Sequence, residues 1–214
     1  KFFDIKCRKS GLTPDAVVLV ATLRALKLHG GVPRGELADG NPAALKAGMA
    51  NLNRHIRNLR LFGVPVVVGL NRFTGDSDSE VGMVLEACAG QGVAAFACTH
   101  WADGGAGAEA LAQGVLDVIK ADGGDFGFLY TDHMPLWEKI ETIAHTLYGA
   151  GDVVATDRVR RQIAGYQQAG WGRLPICMAK TQLSFSADPT LLGAPEGHEI
   201  EIREVRLAAG AGFL

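Results

Sequence analysis

VPVVVGLNRFTGDSDSE, residues 64–80, joins an unbroken β-branched run to Asn71, Arg72 and Phe73. The run is apolar at odd and even positions alike, so it reads as a strand covered on both faces. That is the texture of a parallel sheet, not of a half-exposed antiparallel one. A strand that only fills a core can end in any turn residues. This one ends in an amide, a guanidinium and an aromatic ring.

Working outward, Asn41-Pro42 opens a helical pattern in which Leu45, Met49, Leu52, Ile56 and Leu59 recur at three- and four-residue steps. Arg54, Arg57 and Arg60 fall on the other side, and Gly63 closes the pattern. Ahead of it, residues 15–22 (DAVVLVAT) predict a buried strand, followed by a basic, Gly-ended turn over residues 24–31. Downstream, residues 78–91 predict a helix and residues 93–99 (VAAFACT) another buried strand. Strand, helix, strand, helix, strand specifies an α/β fold, a mostly parallel sheet flanked by helices.

Further helices are expected over residues 109–121, 135–148 and 157–169, with short strands at FGFLY (126–130) and PICMA (175–179). EIEIREVRL, residues 199–207, alternates strictly and predicts a half-exposed strand of antiparallel character, giving a C-terminal α+β region. Composition places a domain boundary only within residues 100–131; the division adopted is 1–101 and 102–214.

A balance of 21 basic against 23 acidic residues, without a Lys/Arg block, offers no field for nucleic acid or anionic lipid. The longest apolar runs fall far short of the ~20 residues that cross a membrane. Cys7, Cys88, Cys98 and Cys177 lie far apart without a Cys-x-x-Cys pair, so reduced, buried thiols and a cytoplasmic setting are expected. The first residues, KFFDIKCRKSG, carry neither Met nor an apolar leader, and the expectation is a chain that starts and stops within a longer protein.

Ligands of open parallel sheets bind at the carboxyl ends of the strands. Phe73 and Trp101 each follow such an end. If the two strands are neighbours, the rings project from one edge and can hold a flat heterocycle between them. The alternative is a satellite packing cluster; the matched placement after successive strands favours the first.

Asn71 invites comparison with the base-reading Asn-Lys-x-Asp of GTP-binding proteins, but Arg72 replaces the Lys and Thr74 stands at the Asp position, so a turn role is the better reading. WADGGAGAEALAQG, residues 101–114, sets a Gly-rich loop before a helix, a weak anion signal. No Gly-x-x-x-x-Gly-Lys-[Ser/Thr] occurs. The six histidines form no metal spacing, and no Gly-x-Ser-x-Gly elbow supports a serine triad. His55 and His145 are expected on helix surfaces, while His29 and His100 fall near strand ends. Lys180, Thr181 and Gln182 leave another expected strand as a polar trio, read as capping or solvated.

KFFDIKCRKSGLTPDAVVLVATLRALKLHGG, FGVPVVVGLNRF, CTHWADGG, LPICMAKTQLS, LLGAP and REVRLAAGAGFL, in this order, resemble segments of the formate–tetrahydrofolate ligase family, the 10-formyltetrahydrofolate synthetases. The resemblance implies a P-loop-NTPase-like fold. It also implies formation of 10-formyltetrahydrofolate from formate, tetrahydrofolate and ATP by way of formyl phosphate. Magnesium with ATP, activation by a monovalent cation, and a cytoplasmic homotetramer follow from the same resemblance.

Residue by residue, it implies that folate rings stack between Phe73 and Trp101. Ala97 then stands at an apolar pocket position, Thr74 replaces a Pro frequent beside the Phe, and Asn71 is an adenine contact. The family's phosphate-binding loop precedes the matching region, so the chain is expected to be a C-terminal portion supplying the folate half and inactive alone. A rival from another class is a non-catalytic folate-binding or assembly module complemented by a separate chain. A weaker one is an unrelated nucleotide switch in which Asn71 reads guanine.

Overall fold

The computed structural model describes residues 1–121, 124–179 and 181–214. In chain order the elements are a helical turn at Phe2–Cys7 running into α1 (Arg8–Ser10), β1 (Val17–Ala21), α2 (Leu23–His29), α3 (Pro42–Arg60), β2 (Val66–Asn71), α4 (Asp78–Ala89), β3 (Ala94–Cys98), α5 (His100–Asp103), α6 (Glu109–Ala121), α7 (Leu136–Ile143), β4 (Asp152–Ala155), α8 (Asp157–Gln168) and β5 (Glu199–Ile202). They form two compact units, Pro14–Phe126 on one side and Lys1–Thr13 with Gly127–Leu214 on the other. The units divide between Phe126 and Gly127, and the helices after β3 stay with the sheet they cover.

In the unit Pro14–Phe126, β1, β2 and β3 form a parallel sheet in sequence order. Crossovers of one hand in that order place their helices on one face. Leu19, Ala21, Val68, Leu70, Ala95 and Ala97 accordingly pack with Leu23, Leu26, Leu45, Leu52, Ile56, Val81 and Val84 of α2, α3 and α4. The other face carries Val67, Gly69 and Phe96, and α6 lies over β2 and β3 there. α6 covers β2 and β3 more than β1, and Val18 and Val20 are 41% and 65% exposed where full burial was expected.

The helix starts are set locally. Thr22, Asn41 and Ser77 accept from the backbone N–H groups of Ala25, Ala44 and Glu80, and Pro42 sits at the first turn of α3. Residues 24–31, expected as a turn, form α2 up to His29. Its Lys27 is buried and donates to the Asp39 carbonyl at 2.8 Å and to Glu80 Oε2 at 3.3 Å. Glu80 Oε1 accepts from the Asn41 N–H at 2.7 Å, so one ion pair joins three elements.

α2 and α3 meet at small residues. An added Cβ on Gly48 would lie 1.8 Å from the Leu26 carbonyl oxygen, and one on Gly30 would lie 1.8 Å from that of Ala44.

Two expectations about α3 fail. Arg54 is buried, and His55 is half-buried. Burial, with the charge of His29 added, pulls the His55 pKa from 6.5 down to about 4. Unfolded, the imidazole takes a proton near its ordinary pKa; folded, it does not until far lower pH. Stability from neutral His55 is therefore complete above about pH 6.5 and drains away as pH falls toward 4. Between pH 7 and 5 the expected loss from this group is about 2 kcal/mol. Thermal unfolding at the two pH values, with His55→Gln as the comparison, measures it; an unchanged pH slope in the variant would contradict the assignment.

In the second unit, β4 and β5 pair in parallel, not antiparallel. Alternation at residues 199–202 reports one wet face and is silent on direction. The core joins Tyr130, Leu136, Ile140, Ile143, Val153, Val159, Ile163, Ile176 and Leu214. Neither FGFLY nor PICMA becomes a strand. Arg8 instead stacks on Phe128 and Tyr130 at 4.1 and 5.1 Å, donates to the Tyr130 carbonyl and pairs with Asp4 and Asp132. Cys177 N–H donates to Leu214 O at 2.6 Å, and Leu214 N–H to Pro175 O at 3.0 Å.

Burial pushes the Tyr130 phenol up to about 12, and its oxygen accepts from Ile176 N–H. Lys139 is fully buried, with Nζ donating to the carbonyls of Asp132, Gly172 and Leu174 at 3.0, 2.8 and 3.1 Å. All four cysteines are free; Cys7, Cys88 and Cys98 are buried as expected, and Cys177 is half-buried. No described helix is long and apolar enough to cross a membrane.

Candidate functional site

β2 and β3 are adjacent and parallel, so the chain leaves both at the same sheet edge. There Arg72, Phe73, Thr74, Thr99, Trp101, Ala102 and Asp103 line an open cavity of about 130 Å³. The Phe73 side is a closed turn. Asp76 Oδ2 accepts from the Phe73 N–H at 2.9 Å, and the Asp76 N–H returns to the Phe73 carbonyl at 3.0 Å. Arg72 donates to the Asp76 carbonyl at 3.1 Å and pairs with Asp78 at 2.6 Å.

On the Trp101 side, the N–H groups of Ala102 and Asp103 both donate to the Thr99 carbonyl, while Thr99 N–H reaches Gly107 O. Gly107 passes so close that a Cβ would lie 2.4 Å from the Thr99 carbonyl carbon. The Gly-rich stretch is thus a packed 3-10 turn, Gly104–Ala108, and α6 begins with Glu109, which repels an anion at that terminus.

Trp101 is 76% exposed although it lines a cavity. A ring this large, left in water on a short helix, contributes little to a core and leaves its face open for a ligand. Phe73 is half-buried, and its ring carries the Arg24 guanidinium, whose carbon lies 4.7 Å from the ring centroid. Arg24 sits in the first turn of α2, in a stretch whose basic, Gly-ended composition predicts a turn and does not mark it as a site residue. The signal that finds it is helical: Thr22 caps, Leu23 is buried, and the next residue faces out at the sheet edge.

The other expected site residues separate by strand parity. Ala97 is on the face packed against α2, α3 and α4, outside the cavity lining. Asn71 shares its parity with Val67 and Gly69, on the α6 face. Its Oδ1 is buried and accepts no hydrogen bond among the described residues.

His29 ends α2 away from the strand edge, with burial lowering its pKa; His100 is exposed at the start of α5. His145 is exposed, as expected for it. Lys180 lies outside the described residues, and the Thr181 hydroxyl is buried without a partner among them. No group of three His, Cys, Asp or Glu suited to a metal occurs among the described residues.

Residues 1–214 match the family model described as formate–tetrahydrofolate ligase. The chain is 58% identical over its whole length to proteins of that name from Maricaulis maris (strain MCS10) and Hyphomonas neptunium (strain ATCC 15444). Identity to the one from Rhizobium meliloti (strain 1021) is 55%, again over the whole chain. In each case the match spans 38% of the relative's length.

Proposed function

The chain belongs to the formate–tetrahydrofolate ligase family, and from that premise we propose that it supplies the folate-holding part of an enzyme joining formate to tetrahydrofolate at the expense of ATP. The observation that carries this reading is the cavity at the ends of β2 and β3, walled by Phe73 and Trp101. Two ring faces at one sheet edge suit a flat pterin, which gains from stacking more than from charge. Thr74 lines the same cavity. Ala97 acts on pocket shape only through the strand that carries it. Asn71 Oδ1, a buried acceptor without a partner among the described residues, supports a ligand N–H at the strand end, from the adenine amino group or the pterin.

The chemistry assigned to the whole enzyme is activation followed by transfer. Formate oxygen attacks the terminal phosphorus of ATP, giving formyl phosphate and ADP; N10 of tetrahydrofolate then attacks the formyl carbon, and phosphate leaves. The sequence has no Walker A loop to hold the triphosphate for the first step. That step, any monovalent-cation site and a homotetrameric, cytoplasmic assembly belong in this reading to the longer protein. The chain's own residues hold and orient the folate while its amine attacks.

The test is an assay for 10-formyltetrahydrofolate. The full-length protein containing this segment is expected to form it only when ATP and formate are both present, releasing one phosphate per turnover. The chain alone is expected to form none. Product from the chain alone, free of full-length enzyme, would overturn the division of labour; failure of the full-length protein would overturn the activity.

A further inference from the structure

We infer that Arg24 makes this site prefer the reduced, electron-rich pterin over its oxidised form by acting through the Phe73 ring; the inference rests on the folate reading above. Phe73 meets two neighbours of different kinds. It walls the cavity, and it carries the Arg24 guanidinium at 4.7 Å, a residue outside the cavity lining. Arg24 is not among the residues that line the cavity, so in this inference the cation backs the wall and does not touch what fills it.

Both partners are held independently. Arg24 follows the fully buried Leu23 on a helix capped by Thr22. Phe73 is fixed at its backbone by the Asp76 turn. Arg24 forms no ion pair among the described residues, so its charge is not cancelled locally.

A cation over an aromatic face draws on the ring's negative quadrupole. Density pulled toward the cation leaves the opposite face less negative, and such a face stacks best on an electron-rich partner. The two oxidation states of pterin differ in that respect. The tetrahydro form donates the lone pairs of N5 and N8 into its pyrimidinone ring. In the oxidised form those nitrogens belong to an electron-poor pyrazine. The same guanidinium thus strengthens the stack with the substrate and weakens it with the oxidised ligand. This acts on electronics alone and adds to any discrimination by ring pucker.

The experiment measures dissociation constants of tetrahydrofolate and of folic acid for the full-length ligase and its variants, in one buffer. Arg24→Met is expected to weaken tetrahydrofolate about two- to fivefold while leaving folic acid unchanged or tighter, the range expected of one exposed cation–π contact. Arg24→Lys should keep most of the preference. The loss should appear in the KM for tetrahydrofolate and not in those for ATP or formate, and it should vanish when Phe73 is already alanine.

A merely structural Arg24 would move both ligands by one factor, and that result, or no change in the ratio, overturns the inference. If Phe73→Ala weakens both ligands while Arg24→Met leaves their ratio alone, only this inference fails. If Phe73→Ala affects neither ligand, the folate reading fails and takes the inference with it.

Discussion

Replacing Gly48 with alanine lowers the melting temperature by roughly 6–12 °C, a loss of about 3 kcal/mol in a chain of this size. Two effects oppose each other. Alanine in a helix interior is favoured over glycine by about 0.5–1 kcal/mol. Against that, the new Cβ would stand 1.8 Å from the Leu26 carbonyl oxygen and 2.7 Å from its carbon, both backbone atoms that cannot rotate away. α2 has to withdraw from α3, and Lys27, adjacent to Leu26, is drawn from Glu80 as it does so. Breaking a buried ion pair is itself worth several kcal/mol, so the steric term wins.

Gly82 in α4 provides the control, because a Cβ there meets nothing within 4 Å. Gly82→Ala should raise the melting temperature while Gly48→Ala lowers it. Thermal unfolding followed by circular dichroism reads both. A rise for Gly48→Ala would mean that the two helices have slack to give.

Trp101→Ala in the full-length ligase is expected to weaken tetrahydrofolate binding about 5- to 150-fold, since one aromatic stack on a heterocycle contributes roughly 1–3 kcal/mol. The ring is 76% exposed, so its removal should leave the melting temperature nearly unchanged. A core tryptophan would behave in the opposite way. The KM for ATP should move little. Phe73→Leu keeps bulk but loses the π face and the partner of Arg24, so it should cost less than Phe73→Ala and more than nothing. An unaltered folate KM and kcat in a stable Trp101→Ala enzyme would remove the clamp from consideration.

Much of the first sheet was legible because its signals are local. Residues 66–71 are apolar at every position, and caps at Asn41 and Ser77 mark where helices begin. Adjacency of β2 and β3, which the sequence left as a condition, is met in the sheet, and Phe73 and Trp101 share a cavity there. What escaped was set by distant partners. Lys27 and Arg24 fall in a stretch that reads only as a basic turn, since Glu80 and Phe73, which receive them, lie well along the chain. β4 is four residues long beside Gly151, too brief to show a period. Parity separated Ala97 from the cavity, a distinction that depends on which residue begins the pairing.

Lys139 turns its burial into a clock. With three carbonyls accepting from its ammonium and no exposed surface, Lys139 has no path to reagent while the unit is closed, even though burial lowers its pKa. The exposed lysines, Lys6, Lys9 and Lys120 among them, acylate at rates set by the reagent. Lys139 acylates only in molecules that have opened, so its labelling rate, read by mass spectrometry against those neighbours, counts opening events of the Gly127–Leu214 core under native conditions.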